Sequence, residues 1–547
     1  MISIELLKEN YFPGIRSLHT HQEILLEHLA GGHNSLGVIR TGGGKSLIFQ
    51  LQAMREPGLT LVISPLLALM KEQVDELNDR GIPAAALNGS MSFQQQRHFL
   101  RQLPGSNIKL LYLSPERLYK TIFQKGLLNC GRKVSMVVID EAHCISQWGA
   151  SFRPDYANIP DFINLLREEG HPAKVLALTA TLAKQPREDV LREFGILQKH
   201  SFVPDSILRN NLDLSFRKVV EEKEKQPLLL DWIAARPDKK ILVYTYSRKK
   251  CEDLARDLAD LGYAADYFHA GRDQHKKDEA FRRYKEGDTN ILIATSAFGM
   301  GINIPDIEGV VHYQIPNSVE EYYQMVGRGW RKSSPEKTCD CLCLWSDINF
   351  EIRIRDLNML REQYATIKDL YELMRGKTMG DIVLESGTIR YYPLDNLLDK
   401  KMHSRRVLFY HAVKAGCIEL LGTLPASLSE ISLQSNEPFW EKVNEIAEEG
   451  IDSVDYIMEE LDQPTALIDY IYDKELKGEI DKFPAYGHVL LYRLLEPELS
   501  DEKAATIQEA IYANIDQQIA QIEELKRLVE SEDPDALLEE ILGKKGD

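Results

Sequence analysis

No apolar run in this 547-residue chain reaches the roughly 18 residues of a membrane-spanning helix, which excludes a helical integral membrane protein. The opening residues, MISIELLKENYFPGI, lack a basic stretch followed by an apolar core, so no signal peptide is expected. Cysteine is scarce: there are seven, scattered, with no C-x2-C pair of the kind that usually holds zinc. Cys339, Cys341 and Cys343 alternate in TCDCLCLW. Alternation places them on one face of a strand, where they read as buried thiols in a reduced, cytoplasmic protein. Low-complexity segments are also missing. Positive charge is short at one end only. Residues 371–547 carry 37 acidic and 18 basic side chains, while residues 1–370 carry 47 and 48. So acidic a tail repels phosphate and is a poor general nucleic-acid binder; a near-neutral front can still hold a local basic groove.

What is present is ordinary in bulk, with 44% hydrophobic and 27% charged residues. The length allows about three or four domains. The front half alternates short apolar runs with amphipathic stretches. SLGVI (35–39), LTLVIS (59–64), IKLLYLS (108–114), VSMVVID (134–140) and KVLALTA (174–180) read as buried strands. KILVYTYS (240–247), AADYFHA (264–270), NILIATS (290–296) and GVVHYQIP (309–316) form a second set. Strands spaced by helices predict parallel sheets covered on both faces, with residues 201–216 linking two lobes. Beyond about residue 350 helical periodicity takes over, with one short strand candidate at GCIELLG (416–422). Ile507, Ile511, Ile515, Ile519, Ile522, Leu525 and Leu528 make one stripe on a long helix.

GVIRTGGGKSLIFQ sets a glycine-rich turn between a strand and a helix. Backbone N–H groups from Gly42 to Lys45, Gly43 and Gly44 among them, can converge on phosphate oxygens, with Lys45 reaching the β- and γ-phosphates and Ser46 ligating Mg2+. The general pattern G-x4-G-K-[ST] wants Gly where Ile39 stands. A plain glycine turn is the alternative. VVIDEAH weighs against it, because Asp140 emerges at the C-terminal edge of a strand, where open α/β sheets bind ligands. Asp140 can hold Mg2+ through water, and Glu141 can orient and deprotonate an attacking water. In the second lobe, YYQMVGRGWRKSS contains Gln324, Gly327, Arg328 and Arg331. Arginines three apart lie near each other on a helix or tight turn, and phosphoryl transfer needs positive charge at the γ-phosphate. A surface basic patch is the bland alternative.

Taken together, these segments resemble superfamily 2 helicases, and specifically the RecQ family of DNA helicases. TGGGKS resembles motif I, VISPLLALMKEQVDEL (62–77) motif Ia, LLYLSPERL (110–118) motif Ib, and DEAHCISQWGASFRPDY (140–156) motif II with its aromatic-rich loop. ALTATL (177–182) resembles motif III, VYTYSRKKCEDLA (243–255) motif IV, ATSAFGMGIN (294–303) motif V and QMVGRGWR (324–331) motif VI. The resemblance spans roughly residues 10–350. It implies ATP in a cleft between two lobes, held by Thr41, Gly42, Gly43, Gly44, Lys45 and Ser46, with Gln22 reading adenine. It places Gln324, Arg328 and Arg331 with Lys45, Asp140 and Glu141 in the catalytic set. The residues leave open which arginine is the finger; the resemblance favours Arg331, with Arg328 on the γ-phosphate. It also implies that Gln147, Trp148, Phe152 and Arg153 contact single-stranded DNA and couple that contact to hydrolysis. Trp148 and Phe152 offer stacking faces and Arg153 can meet phosphate; core packing is the other reading of the two aromatics.

The chain departs from the family pattern at Ala150, where His is common, at His19, in place of arginine, and at Trp330 and Lys332, in place of small and acidic residues. The family's four-cysteine zinc subdomain is not visible, since only Cys417 follows Cys343. Nor is a helicase-and-RNase-D-like C-terminal domain. KKMHSRR (400–406) with the helical stretch after it reads equally as a remnant winged helix or a solvated helix face.

The expected fold is α/β: two tandem RecA-like parallel-sheet lobes, residues 1–205 and 206–350, then a mainly helical C-terminal region. That region divides into an atypical helical or winged-helix-like part (351–435) and an acidic helical module (436–547). The expected activity is ATP- and Mg2+-dependent 3′ to 5′ movement on single-stranded or partly duplex DNA, with no zinc and no membrane. An RNA helicase is the runner-up among enzymes. The alternative class is a motor or ATP-switch subunit of a nuclease, defence or repair assembly, docked through the acidic C-terminus. The stripe from Ile507 to Leu528 must be covered, either by the chain's own helices or by a protein partner or second copy.

Overall fold

The structure is a computed structural model. It describes residues 2–542 apart from 41, 66, 88–90, 119–120, 148–155, 157–158, 181–183, 205, 207, 296–297, 299–303, 332–336, 366, 369–370, 372–379, 385–386, 394–402, 429–430, 449–456, 459–460, 462–463, 485–487 and 497.

The apolar runs of the front half become the strands of two parallel sheets. The first holds β1 (Ser35–Val38), β2 (Leu59–Ile63), β3 (Ala84–Leu87), β4 (Leu110–Leu113), β5 (Val134–Asp140), β6 (Lys174–Thr179) and β7 (Ser201–Phe202), in the order β3-β4-β2-β5-β6-β1-β7. Every neighbouring pair is parallel. Side chains alternate across the sheet. On β5, Val137 and Ile139 join the core that includes Phe123, Phe162 and Ile163. Met136 and Val138 join the opposite core, with Leu25, Leu29, Ile48 and Phe49. Both faces are therefore dry, which is why these strands read as unbroken apolar runs.

The second sheet holds β8 (Leu212–Lys218), β9 (Ile241–Tyr244), β10 (Ala265–Phe268), β11 (Ile291–Ala294), β12 (Gly309–His312) and β13 (Cys339–Trp345), in the order β10-β11-β9-β12-β13-β8. It is parallel throughout. Cys339, Cys341 and Cys343 are buried on β13, and all seven cysteines are free thiols. The segment expected to be a linker carries β7 and β8 at its two ends. Only residues 203–211 cross between the sheets.

Helices prevail after residue 350, but among the described residues six strands also form there, where one was expected. β14 (Gly380–Leu384), β15 (Gly387–Pro393), β16 (Ile418–Pro425) and β19 (His488–Leu494) make an antiparallel sheet of order β14-β15-β19-β16, while β17 (Ser432–Leu433) pairs with β18 (Ile480–Lys482). These strands carry Arg, His, Glu and Gly among their apolar residues, so no unbroken run announces them.

This C-terminal region leans on both lobes. On the first, Arg97 and Arg101 converge on Glu475, whose side chain is only 1% exposed; Arg97 Nη2 donates to Glu475 Oε2 at 2.6 Å. Thr423 N donates to Thr121 Oγ1 at 3.0 Å beside the Tyr472 hydroxyl. On the second lobe, the 30-residue helix Asp501–Glu530 packs along helices Asp347–Gln363 and Val319–Val326, and Pro534–Leu542 also packs on Val319–Val326. Ile507, Ile511, Ile515, Ile522, Leu525 and Leu528 are buried by the chain itself. No helix among the described residues is long and apolar enough to cross a membrane.

Candidate functional site

Strand register brings the chemistry to one edge of the first sheet. Val38 pairs with Thr179, Leu178 with Asp140, and Ile139 with Ile63, so residues 39, 64, 140 and 179 emerge side by side. Ser64 Oγ accordingly donates to Asp140 Oδ2 at 3.3 Å.

The glycine-rich turn leaves β1 and enters helix Lys45–Arg55 through Gly44, at φ +77°. A Cβ on Gly44 would also lie 2.4 Å from Gln22 Nε2, so this position needs glycine on two counts. Gln22 is buried. Its Oε1 accepts from His19 N at 2.9 Å and its Nε2 donates to Gly44 O at 3.1 Å. His21 Nε2 meets Gly43 O at 2.8 Å. Helix Thr20–Ala30 thus supports the turn from beneath through its first residues. Ser46 Oγ accepts from Gln73 Nε2 at 3.0 Å. Thr41 lies outside the described residues.

Lys45 Nζ stands 3.5 Å from Glu141 Oε1. Glu141 has φ +52°, a left-handed conformation that is strained for a side-chain-bearing residue, by about 1–3 kcal/mol. The strain is held in place from both sides. Ala142 N donates to Leu178 O at 2.9 Å, and Cys144 N to Glu141 O at 2.9 Å. His143 Nδ1 bridges Glu141 Oε2 (3.4 Å) and Thr179 Oγ1 (3.0 Å). Burial holds His143 below the usual histidine range, against the upward pull of the Glu141 charge.

Burial raises the Asp140 carboxyl to about 6, against the opposing pull of Lys45 and with the push of Glu141's charge. For Glu141, burial pushes upward too, but Lys45, His143 and Arg328 together outweigh it and hold it low. Glu141 is therefore the more readily ionised member of the pair. Apart from its ion-pair contact with His143, its Oε2 is buried without a hydrogen-bond partner among the described residues. Two carboxylates and a hydroxyl facing one ammonium make a donor set that suits a hard divalent cation, and the raised Asp140 would ionise beside one. The residues present fit Mg2+ and a nucleotide triphosphate.

The second lobe reaches this site. Arg328's charge acts on Glu141, and Glu141's charge acts on both Arg328 and Arg331. Arg328 follows helix Val319–Val326, on which Gln324 is buried with Nε2 lacking a hydrogen-bond partner among the described residues. Burial lowers Arg328, and it lowers Arg331 to about 9 with help from the like charges of Arg328 and Arg209. Two buried guanidinium groups side by side favour an anion between them. Gly329 is required by packing, since a Cβ there would lie 2.2 Å from Cys339 Sγ. Trp330, one of the departures, is buried, with Lys337 Nζ 4.5 Å above its ring.

The chain matches the family model described as DEAD/DEAH box helicase over residues 19–190, and that of the helicase conserved C-terminal domain over residues 224–333. It is 33% identical over 365 residues to the ATP-dependent DNA helicase RecQ of Synechocystis, covering 67% of this chain and 75% of that protein. The chain belongs to the RecQ helicase family. It is also 38% identical over 322 residues to the ATP-dependent DNA helicase RecQ of Pasteurella multocida, over 59% of this chain and 49% of that one. The chain thus spans about half the length of that relative and of the Haemophilus influenzae one. Among solved structures, S. cerevisiae Dbp5 bound to RNA and ADP BeF3 aligns at TM-score 0.51 and 17% identity, over 64% of this chain and 88% of that one. The helicase MrfA bound to DNA and AMPPNP aligns at 0.52 and 19%, over 64% and 51%. At such identities these two support the two-lobed helicase fold alone.

The structure ties Gln22 to the glycine turn, sets Lys45 beside Glu141 and next to the charge of Asp140, and brings Arg328 and Arg331 within the field of Glu141. The set expected to contact DNA is different. Trp148, Phe152 and Arg153 lie outside the described residues, as do Ala150, Lys332 and the side chain of Gln147. The segment leaves at helix Cys144–Gln147 and returns at Tyr156, whose buried hydroxyl donates to Asp140 O at 3.2 Å. Sequence reasoning missed Ser64, Gln73, His143, Tyr156 and Arg209. Of these, His143 carried a signal in the DEAH spelling itself.

Proposed function

We propose that the chain is an ATP-dependent DNA translocase or helicase of RecQ type, moving 3′ to 5′ along single-stranded DNA. The observation that carries this is the Lys45–Glu141 pair of the first lobe lying within the field of Arg328 from the second. Bound ATP with Mg2+ supplies the phosphoryl group and the Lewis-acid charge. The chain's residues do the rest. Lys45 and the N–H groups of the glycine turn anchor phosphate. Ser46 and Asp140 hold the cation, Asp140 through water. Glu141, ionised by its three cationic or polar neighbours, takes the proton of the attacking water. Arg328 and Arg331 balance charge as the γ-phosphate departs, and Gln22 faces adenine.

The expected roles of Arg328 and Arg331 have a kinetic signature. Arg328→Ala is expected to lower kcat by on the order of 10²-fold or more, with ATP affinity changed far less, because its charge matters most in the transition state. Much weaker nucleotide binding with kcat unchanged at saturation would contradict that role.

Coupling to DNA follows from connectivity. The aromatic segment is joined to Glu141 through one short helix and tied back to Asp140 O by Tyr156. Trp148→Ala and Arg153→Ala are expected to lower the DNA-stimulated ATPase by a larger factor than the basal rate. Equal loss of both would assign these side chains to packing.

ATPase activity of the purified chain, with and without single-stranded DNA and beside single-stranded RNA, tests the proposal. Stimulation by DNA over RNA supports it; no hydrolysis, or preference for RNA, overturns it. The alternative of a docked assembly subunit loses its main support, since the chain itself covers the C-terminal stripe.

A further inference from the structure

Between Phe202, where β7 ends, and Leu212, where β8 begins, the chain passes from one lobe to the other. Arg209 sits on this crossing. Its Nη1 donates to Gly327 O at 2.9 Å and its Nη2 to Gly329 O at 2.9 Å and to Trp330 O, while its Nε donates to Asn211 Oδ1 at 3.1 Å. Its backbone N donates to the Tyr323 hydroxyl at 2.6 Å, and Asn211 Nδ2 donates to Trp330 O at 3.1 Å. One planar fork thus grips three carbonyls that bracket Arg328 and end next to Arg331. A simple helix cap would satisfy only the last carbonyls of helix Val319–Val326. Here the grip extends past the helix end and spans the arginine loop.

The other end of the crossing touches the phosphate loop. The Phe202 ring lies 5.6 Å from the His21 ring, and His21 Nε2 meets Gly43 O. The charge of Arg40, which precedes the glycine turn, acts on both His21 and Arg209. Contacts therefore join the glycine turn to Phe202 at one end of the crossing, and Arg209 near its other end to the arginine loop.

We propose that Arg209 is a positioning residue for hydrolysis: it fixes the backbone of residues 327–330 to the interlobe crossing and so sets Arg328 and Arg331 against the first lobe's site. Arg209 touches neither nucleotide nor the reacting atoms; it acts through the carbonyls. A guanidinium suits the task because its donors are fixed in one plane, whereas an ammonium on a flexible stem cannot hold three spread carbonyls in one geometry.

This inference rests on the ATPase reading above, and the test separates the two. Wild-type, Arg209→Ala and Arg209→Lys full-length chains are compared for kcat and KM in DNA-stimulated ATPase, for Kd of a fluorescent non-hydrolysable ATP analogue, and for thermal melting. Arg209→Ala is expected to lower kcat by about 10²-fold, since displacing a catalytic group by about 1 Å can cost that much. Nucleotide Kd should stay within about threefold, as expected of a group that acts only on transition-state alignment. Arg209→Lys should fall between the two, with a wild-type melting curve. If Arg209→Ala does not fold, Arg209→Lys decides: reduced kcat with retained affinity supports the role. Wild-type kcat in a folded variant overturns it, and so does equal loss of kcat and affinity. A wild-type chain that hydrolyses no ATP sinks the ATPase reading instead.

Discussion

Glu141→Gln is expected to bind ATP nearly as well as the wild type and to hydrolyse it about 10²–10⁴-fold more slowly, the usual loss when a positioned base is removed. The carboxylate is isosteric with the amide, so the strained backbone at φ +52° and its flanking hydrogen bonds should persist. What disappears is a buried acid whose surroundings favour ionisation: Lys45 at 3.5 Å, His143 at 3.4 Å and the field of Arg328. Asp140 is poorly placed to substitute, because burial pushes it toward protonation and its Oδ2 already accepts from Ser64. Lys45→Ala provides the contrast. It should weaken nucleotide binding itself, since Lys45 anchors phosphate in the ground state as well as the transition state. Single-turnover hydrolysis with separate nucleotide titration distinguishes these outcomes. Near-wild-type turnover in Glu141→Gln would mean that another group takes the proton.

The parts of this site that sequence made legible are those whose chemistry is local. Lys45, Ser46, Asp140 and Glu141 stand at fixed offsets from strand ends, and a strand end is visible wherever a buried apolar run stops. Arg328 and Arg331 were visible as a pair. Contacts made across the fold were not. Arg209 lies 118 residues from Gly327, and only the packing of β8 beside β13 brings the two together. Gln73 reaches Ser46 from 27 residues away on a helix whose polar residues look like any solvated face. The missed strands have a physical reason as well. β8 is an edge strand with alternating burial, so LDLSFRK reads as linker. β3 is mostly alanine, and the C-terminal strands mix charge with apolar residues, which blurs both the period of two and the unbroken run.

Deleting residues 501–547 is expected to leave a chain that precipitates or melts far below the wild type. Ile507, Ile511 and Ile515 belong to a core with Tyr364, Tyr371, Leu408 and Tyr492, while Ile522, Leu525 and Leu528 belong to the core that includes Tyr322, Val326 and Phe350. Each such side chain contributes about 1.5–3 kcal/mol when fully buried, so the six together are worth about 9–18 kcal/mol as an upper bound. That is comparable with the roughly 5–15 kcal/mol that stabilises a whole domain. The damage would not stop at the C-terminal region, because helices Asp501–Glu530 and Pro534–Leu542 cover helix Val319–Val326, which carries Gln324 and leads into Arg328. A gentler variant separates packing from docking. Leu525→Ala, at a fully buried position, should destabilise by about 2–5 kcal/mol and lower the melting temperature without removing any surface a partner could use. If instead the truncated chain stays soluble, keeps DNA-stimulated ATPase and loses a co-purifying protein or its dimer, the stripe is a docking surface and its burial within the chain does not describe the working protein.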